Sequence, residues 1–475
     1  MLPKYIREIL QTLEEQGFEA YVVGGCVRDI LMKKTPNDWD ITTNAVPEEI
    51  LDIFSLAKYQ NDFGTVILPI KENDKLVDVV EITTYRSESG YSDRRRPDEV
   101  NFEKQLDKDL ERRDFTINAL AMDNSEQIVD LFGGVKDIKK QILRAVGEPI
   151  ERFKEDSLRM LRAVRLSAQL GFEMEAKTER AILKMVGGLK FISKERVRDE
   201  LIKMLKTSQP EQAILKLHKN KLLQYIIPEL EQGVGVKQNH HHIYTVFDHA
   251  WRSLANCPSS DWRVKLAALL HDIGKPKSRQ IIDGKVTFYN HEYIGAKISD
   301  KILTRLKFKN EDREKVVGLI RNHMFYYNVD EVTAASVRRL IKKVGQENLK
   351  DLIDLRIADR LGSGTPKAKP YKLRHLEYMM EKVQNDPVSV KMLEINGDNL
   401  LKELKLEPGP KVGAILEVLL SKVIDNPNLN KKDELLSLAK ELKDTPLESL
   451  RKQAREVISE KNQELDKKIK KEFHV

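Results

Sequence analysis

The sequence predicts an α+β protein, with a small mixed-sheet domain at the N-terminus followed by all-helical blocks. Three observations carry that prediction. Short β-branched runs bounded by Gly, Asn and Asp are confined to residues 1–145, in EAYVVGG, FGTVILPI, LVDVVEITTYR and EQIVDLFGG. From about residue 146 onward, apolar residues recur at helical spacing, as in SLRMLRAVRLSAQLGF, TERAILKMVGGL and RVRDELIKMLK. The helical part is interrupted by QGVGVKQNHHH at 232–242 and GSGTPKAKPYK at 362–372. A chain of 475 residues has room for two to four domains, and these breaks divide it into 1–145, 146–236, 237–365 and 366–475.

Charged residues make up 33% of the chain and aromatics 6%, which suits a helix-rich protein in water. The net charge of +7 is compatible with a polyanionic partner. No apolar run approaches the ~20 residues of a membrane span. The opening MLPKYIREILQTLEEQ is charged throughout. It predicts an amphipathic helix with Ile6, Leu10 and Leu13 on one face, not a secretory signal. Cys26 and Cys257 are the two cysteines and neither has a CxxC partner, which argues against a disulfide framework and a cysteine zinc site. A cytoplasmic protein with no membrane association and no stable protein partner is expected.

The first element of chemical interest is YVVGGCVRD, a strand, a tight turn and a helix start. Gly24 and Gly25 let backbone N–H groups approach a ligand closely, as at phosphate-binding turns. In NDWDI, Asp38 and Asp40 point to the same side of a strand, because side chains alternate with period two. Two adjacent carboxylates are costly without a cation. Hard oxygen ligands suit Mg²⁺, which also takes phosphate oxygens, and two such ions can activate an attacking oxygen and stabilise a leaving one. Glu81 in DVVEITTYR is a candidate third carboxylate, or a partner of Arg86. In LERRDFTINALAMD, Arg112, Arg113 and Asp114 precede an expected buried helix, FTINALAM. The arginines can neutralise phosphate, and Asp114 can accept from a ribose hydroxyl.

In ERFKEDSLRMLRAVRL, Asp156 and Arg159 are three apart on a helix and share a face. Cytosine and adenine both present a ring-nitrogen acceptor beside an exocyclic amine donor. Arg159 donating and Asp156 accepting would satisfy either base. Uracil and guanine present the reverse pattern and would leave buried groups unpaired, at roughly 1–3 kcal/mol each. An i,i+3 salt bridge on a solvated helix is the alternative for this pair.

The third block holds most of the imidazoles: seven of the ten histidines fall between 240 and 323. His271 and Asp272 end the apolar helix VKLAALLHD; His249, His291, His323 and Asp359 lie on the elements around it. Mixed His/Asp sets of this kind favour divalent metals with positions open to water. His242 competes with His249 as first ligand, and His240 and His241 read as solvated loop residues. In the fourth block, EPGPKVG reads as a turn between helices, with Gly409 and Gly413 offering N–H groups to a phosphate.

GGCVRD, DWD, RRDFTINAL, DLFGGVKDI, EDSLR and KERVRDE occur in the order seen in class II CCA-adding enzymes, the tRNA nucleotidyltransferases of the polymerase β superfamily. Over roughly residues 15–215 the chain resembles these enzymes and the similar bacterial poly(A) polymerases. The resemblance implies a nucleotidyltransferase head, a base-recognising neck and a tail that holds the tRNA elbow. It implies that Asp38 and Asp40 bind catalytic Mg²⁺. It implies that Gly24, Gly25, Arg28, Arg113, Asp114, Asn118, Glu155, Asp156, Arg159, Arg162 and Arg165 hold the incoming nucleotide, with Glu155, Asp156 and Arg159 as the amino-acid template. ESGYSDRRRPDEV, 88–100, matches the family's flexible loop. The pattern H…HD…H…H…D over 240–365 resembles the HD superfamily of metal-dependent phosphohydrolases, with Mg, Mn, Ni or Fe as its metal. The implied activity is addition of the 3′-terminal CCA to tRNA from CTP and ATP, without a nucleic-acid template and with release of pyrophosphate. The rivals are an A-adding or CC-adding enzyme, a poly(A) polymerase, a phosphohydrolase with a silent head, and an RNA-binding protein without catalysis.

Overall fold

The computed structural model describes residues 2–61, 64–89, 99–238, 243–325, 328–329, 332–384, 390 and 393–475. Most of the expected flexible loop (90–98) and His240, His241 and His242 lie outside the described residues. The chain forms two compact units. The first comprises Met1–His323 with Asp351–Pro366, the second Met324–Lys350 with Lys367–Val475.

The first unit begins with the helix Lys4–Glu15, whose Ile6, Leu10 and Leu13 are fully buried, as the spacing predicts. A seven-stranded sheet follows, in the order Lys58–Asn61, Thr65–Glu72, Lys75–Thr84, Trp39–Thr43, Ala20–Val23, Ala121–Met122, Ile128–Val129. Trp39–Thr43 pairs in parallel with Lys75–Thr84, and the other neighbours are antiparallel. Val22, Ile41, Val80 and Ile82 fill the core side of the central strands. Alternation therefore turns Asp40 and Glu81, one residue off Ile41 and Ile82, to the opposite face.

FTINALAM is not a helix. Thr116–Asn118 makes one 3-10 turn, and Ala121–Met122 joins the sheet. Its backbone is engaged by neighbours instead: Thr116 N–H donates to the Arg144 carbonyl at 2.9 Å, and the Leu120 carbonyl accepts from Gly24 N–H at 3.1 Å. ERFKEDSLRMLRAVRL is likewise two helices, Pro149–Glu155 and Leu158–Leu170. Asp156 between them is extended (φ −139°, ψ 104°), and its Oδ1 accepts from Leu158 N–H at 3.0 Å. Short Asp side chains compete with helical backbone bonds in this way.

Helices Ala176–Met185, Lys194–Leu205 and Pro210–Lys219 continue the unit. Trp262–Leu270 is buried on nearly every side, at Val264 and from Leu266 to Leu270, and so runs through the middle of its helical neighbours. The second unit is helical, packed around Leu400, Ile415, Leu419, Leu435 and Leu450. Gly409 and Pro410 open its Pro410–Asp425 helix, with Pro at the first position where it lacks no needed N–H. Among the described residues, no helix is long and apolar enough to cross a membrane.

Candidate active site

A cavity of about 880 Å³ opens on the sheet face that carries Asp40. Gly24, Gly25, Arg28, Asp38, Asp40, Glu81, Arg113, Asp114, Asn118, Asp156, Arg159, Arg162 and Arg165 line it. Thus every predicted head and neck residue lines one space except Glu155, which instead grips Arg159 and pairs with Arg152 at 2.8 Å.

Gly24 sits at φ 87°, and a Cβ there would lie 3.0 Å from Arg113 Nη1 and 3.7 Å from Asp40 Oδ2. Only glycine meets both the conformation and the approach. The turn delivers the Gly25–Leu31 helix, from which buried Arg28 donates Nη1 to Asn118 Oδ1 at 2.7 Å and Nε to Asp29 Oδ1 at 2.9 Å. Asn118 Nδ2 in turn donates to Asp114 Oδ1 at 3.1 Å.

Asp40 and Glu81 are direct partners across the parallel strands, and Asp38 stands just before its strand. Burial pushes the Asp40 carboxyl up to about 6, Glu81 and Asp38 add to the rise, and Arg113 opposes it. Three acidic side chains line this part of the cavity, one of them reluctant to ionise, and hard oxygen donors of this kind suit a divalent cation. Arg112 and Arg113 share one fully buried carboxylate, Asp109, at 2.6 and 2.9 Å. At Asp114, burial pushes the carboxyl up, but Arg162 at 2.7 Å and Asn118 outweigh it and hold it at about 2.

Asp156 and Arg159 do not form the i,i+3 salt bridge that is the alternative for this pair, and Asp156 lies in the link before the helix that carries Arg159. Asp156 and Arg159 both face the cavity but do not bridge each other. Arg159 is held by Glu155 and by the Arg112 carbonyl at 2.9 Å. Asp156 meets Arg196, forty residues on, at 2.7 Å.

His249, His271, His291 and His323 of the third block form a second centre. His249, His271 and Asp272, and Asp272, His291 and His323, make two groups whose ligand atoms lie within 4.8 Å of one another. Asp272 joins them: Oδ2 lies 3.3 Å from His249 Nε2 and from His271 Nε2, and Oδ1 lies 3.3 Å from His291 Nε2. Asp359 Oδ1 is 3.2 Å from His249 Nε2. His271, His291 and His323 each place Nδ1 2.7–2.9 Å from a backbone carbonyl three residues earlier. A carbonyl cannot donate, so Nδ1 carries the proton and Nε2 is left bare and inward. Yet Nε2 of His249 and His271 are 3.1 Å apart, and those of His291 and His323 are 3.3 Å apart. Facing lone pairs at that separation are relieved by a cation. Burial pushes His271 down, but Asp272 and Asp359 outweigh it and hold it up at about 10, so the carboxylates favour positive charge at this ring.

Three families match the chain: the Poly A polymerase head domain over residues 20–144, the probable RNA and SrmB-binding site of polymerase A over 171–233, and the HD domain over 242–363. A CCA-adding enzyme of Enterococcus faecalis is 33% identical over 443 residues, 91% of this chain and 94% of that one. The chain belongs to the CCA-adding enzyme family. An A-adding tRNA nucleotidyltransferase of Deinococcus radiodurans is also 33% identical, over 84% of this chain and 90% of its own. The crystal structure of Bacillus stearothermophilus CCA-adding enzyme in complex with CTP matches with a TM-score of 0.62 at 26% identity, covering 93% of this chain and 98% of that chain.

Against that family background, sequence reasoning missed Asp109, Arg196 and Glu200. Asp109 could have been found from its i,i+3 and i,i+4 spacing to Arg112 and Arg113. Arg196 and Glu200 lie within the quoted KERVRDE, but nothing local shows which distant residues they meet. Lys203, Lys206 and Gln169 also line the cavity and were not singled out.

Proposed function

We propose that this chain adds the 3′-terminal CCA to tRNA, taking CTP and ATP without a nucleic-acid template. The observation that carries this reading is the single cavity that places three carboxylates, the Arg112–Arg113 pair and the Asp156–Arg159 pair around one ligand-sized space. In this reading Asp38 and Asp40, with Glu81 beside them, would hold Mg²⁺, which would supply positive charge against the phosphates. Arg112 and Arg113, fixed by Asp109, face the phosphates. Asp114 accepts from the ribose hydroxyl, its orientation set by Asn118, Arg28 and Arg162. Asp156 accepts from the exocyclic amine of C or A while Arg159 donates to the ring nitrogen. The RNA 3′-hydroxyl oxygen attacks the α-phosphorus and gives up its proton to solvent, a phosphodiester bond forms, and the bond to the bridging oxygen of the β-phosphate breaks to release pyrophosphate. Positioning and fixed charge supply most of the rate.

We assign the head to 1–145, the base-reading neck to 146–236, an HD centre to 237–365 and a tRNA-elbow-binding tail to 366–475. The HD ligands are His249, His271, Asp272, His291, His323 and Asp359, for Mg, Mn, Ni or Fe. The setting is the cytoplasm. A second reading is A addition alone, favoured by the Deinococcus relative at the same identity.

The test uses purified protein and tRNA ending at the discriminator base, at C or at CC, with each nucleotide supplied separately and together. Growth from the shortest end to CCA supports the main reading. Use of ATP on the CC end alone supports A addition. Long tails on unrelated RNA would point to poly(A) synthesis.

A further inference from the structure

Arg196 and Glu200 lie one turn apart on the Lys194–Leu205 helix and project from the same face. Glu200 is 3% exposed and accepts from Arg165 Nε at 2.7 Å, which pins this helix against Leu158–Leu170. Arg196 meets Asp156 with both terminal nitrogens, Nη1 to Oδ1 at 3.2 Å and Nη2 to Oδ2 at 2.7 Å.

That fork counts out the acceptors of Asp156. A carboxylate oxygen offers two lone pairs. Oδ1 uses both, on Leu158 N–H at 3.0 Å and on Arg196 Nη1. Among the described residues Oδ2 uses one, on Arg196 Nη2, and keeps one. A single free acceptor is what one exocyclic amine requires. Asp156 lies in an extended link between two helices, where the local Leu158 N–H holds one oxygen but does not by itself fix the plane of the carboxylate. A planar guanidinium gripping both oxygens does fix it.

We infer that Arg196 is a positioning residue for nucleotide selection, aiming the one remaining acceptor of Asp156 at the base. The inference rests on the base-reading role proposed for Asp156. Arg196 acts through that carboxylate and needs no contact with the nucleotide itself.

The experiment compares wild type, Arg196→Gln, Arg196→Lys and Asp156→Ala in single-nucleotide addition with CTP, ATP, UTP and GTP. The readout is the ratio of kcat/KM for C and A over U and G. In Arg196→Gln the ratio falls by roughly tenfold or more. Arg196→Lys recovers part of it, because a point charge cannot hold both oxygens in plane. If the glutamine variant does not fold, Arg196→Lys carries the test and must itself lower the ratio severalfold. Scaffolding alone would lower all four values by one factor and leave the ratio intact; that outcome, or unchanged kinetics, overturns the inference. Relaxed selectivity in Asp156→Ala with unchanged selectivity at Arg196 defeats the positioning role only. Unchanged selectivity in Asp156→Ala defeats the base-reading role beneath it.

Discussion

Asp40 and Glu81 stand opposite each other on two parallel strands, with like charge facing like charge at the wall of the cavity. Such a pairing is destabilising in a sheet unless something positive lies between the side chains. Burial makes it worse for Asp40, whose carboxyl is pushed up to about 6.

The first prediction follows from the sign of that shift. A carboxyl whose folded pKa is raised contributes its full stability below the unfolded value of 3.8, and loses it as pH rises through about 6. In metal-free protein, Asp40→Asn should therefore raise the Tm at pH 8 and leave it nearly unchanged at pH 4. The gain at pH 8 is on the order of 1–3 kcal/mol. Adding Mg²⁺ should raise the wild-type Tm more than that of the variant. Thermal unfolding at the two pH values, with and without chelator, checks both statements.

Asp114 carries the second. Its carboxyl is held at about 2 by Arg162 and Asn118 against burial. A depressed carboxyl contributes stability above its unfolded value of 3.8 that is lost as pH falls through about 2. Asp114→Asn should flatten the pH dependence of stability below pH 4. If Asp114 accepts from the ribose, Asp114→Ala should also lose on the order of tenfold or more of the preference for CTP over dCTP. Steady-state kinetics with the two nucleotides measures it.

The third concerns the HD turn. A Cβ on Gly274 would lie 2.2 Å from the His291 carbonyl oxygen and 2.6 Å from Gly295 N, both of them backbone. Gly274→Ala must push the segment carrying His271 and Asp272 away from the His291–Arg305 helix. A cost of about 1–3 kcal/mol is expected. Metal content per chain, measured after dialysis against Mn²⁺ or Ni²⁺, should fall with it. His271→Ala should lose the same metal while leaving CTP and ATP addition largely intact. Retained metal in both variants would remove the case for this centre.

What was legible in the sequence was local. Gly24, Gly25, Asp38 and Asp40 declare themselves because a strand, a turn and a two-residue period place them within one short stretch. The His/Asp cluster was legible because imidazoles are rare in this chain and gather at the ends of apolar helices. FTINALAM was misread because its apolar run suits either a helix or a buried strand, and only the distant partners at Arg144 and Gly24 decide between them. The link at Asp156 was missed for a related reason. Its neighbours read as continuous helix, while the carboxylate caps Leu158 and reaches Arg196 across a fold the local pattern does not contain.

The central claim is that Asp38 and Asp40 hold the cation on which nucleotide transfer depends. Its most direct test is the Asp38→Ala, Asp40→Ala double variant, assayed for extension of tRNA ending at the discriminator base with CTP, ATP and Mg²⁺, after circular dichroism shows that it is folded. Loss of extension by at least about a thousandfold is expected. Extension at the wild-type rate would contradict the assignment.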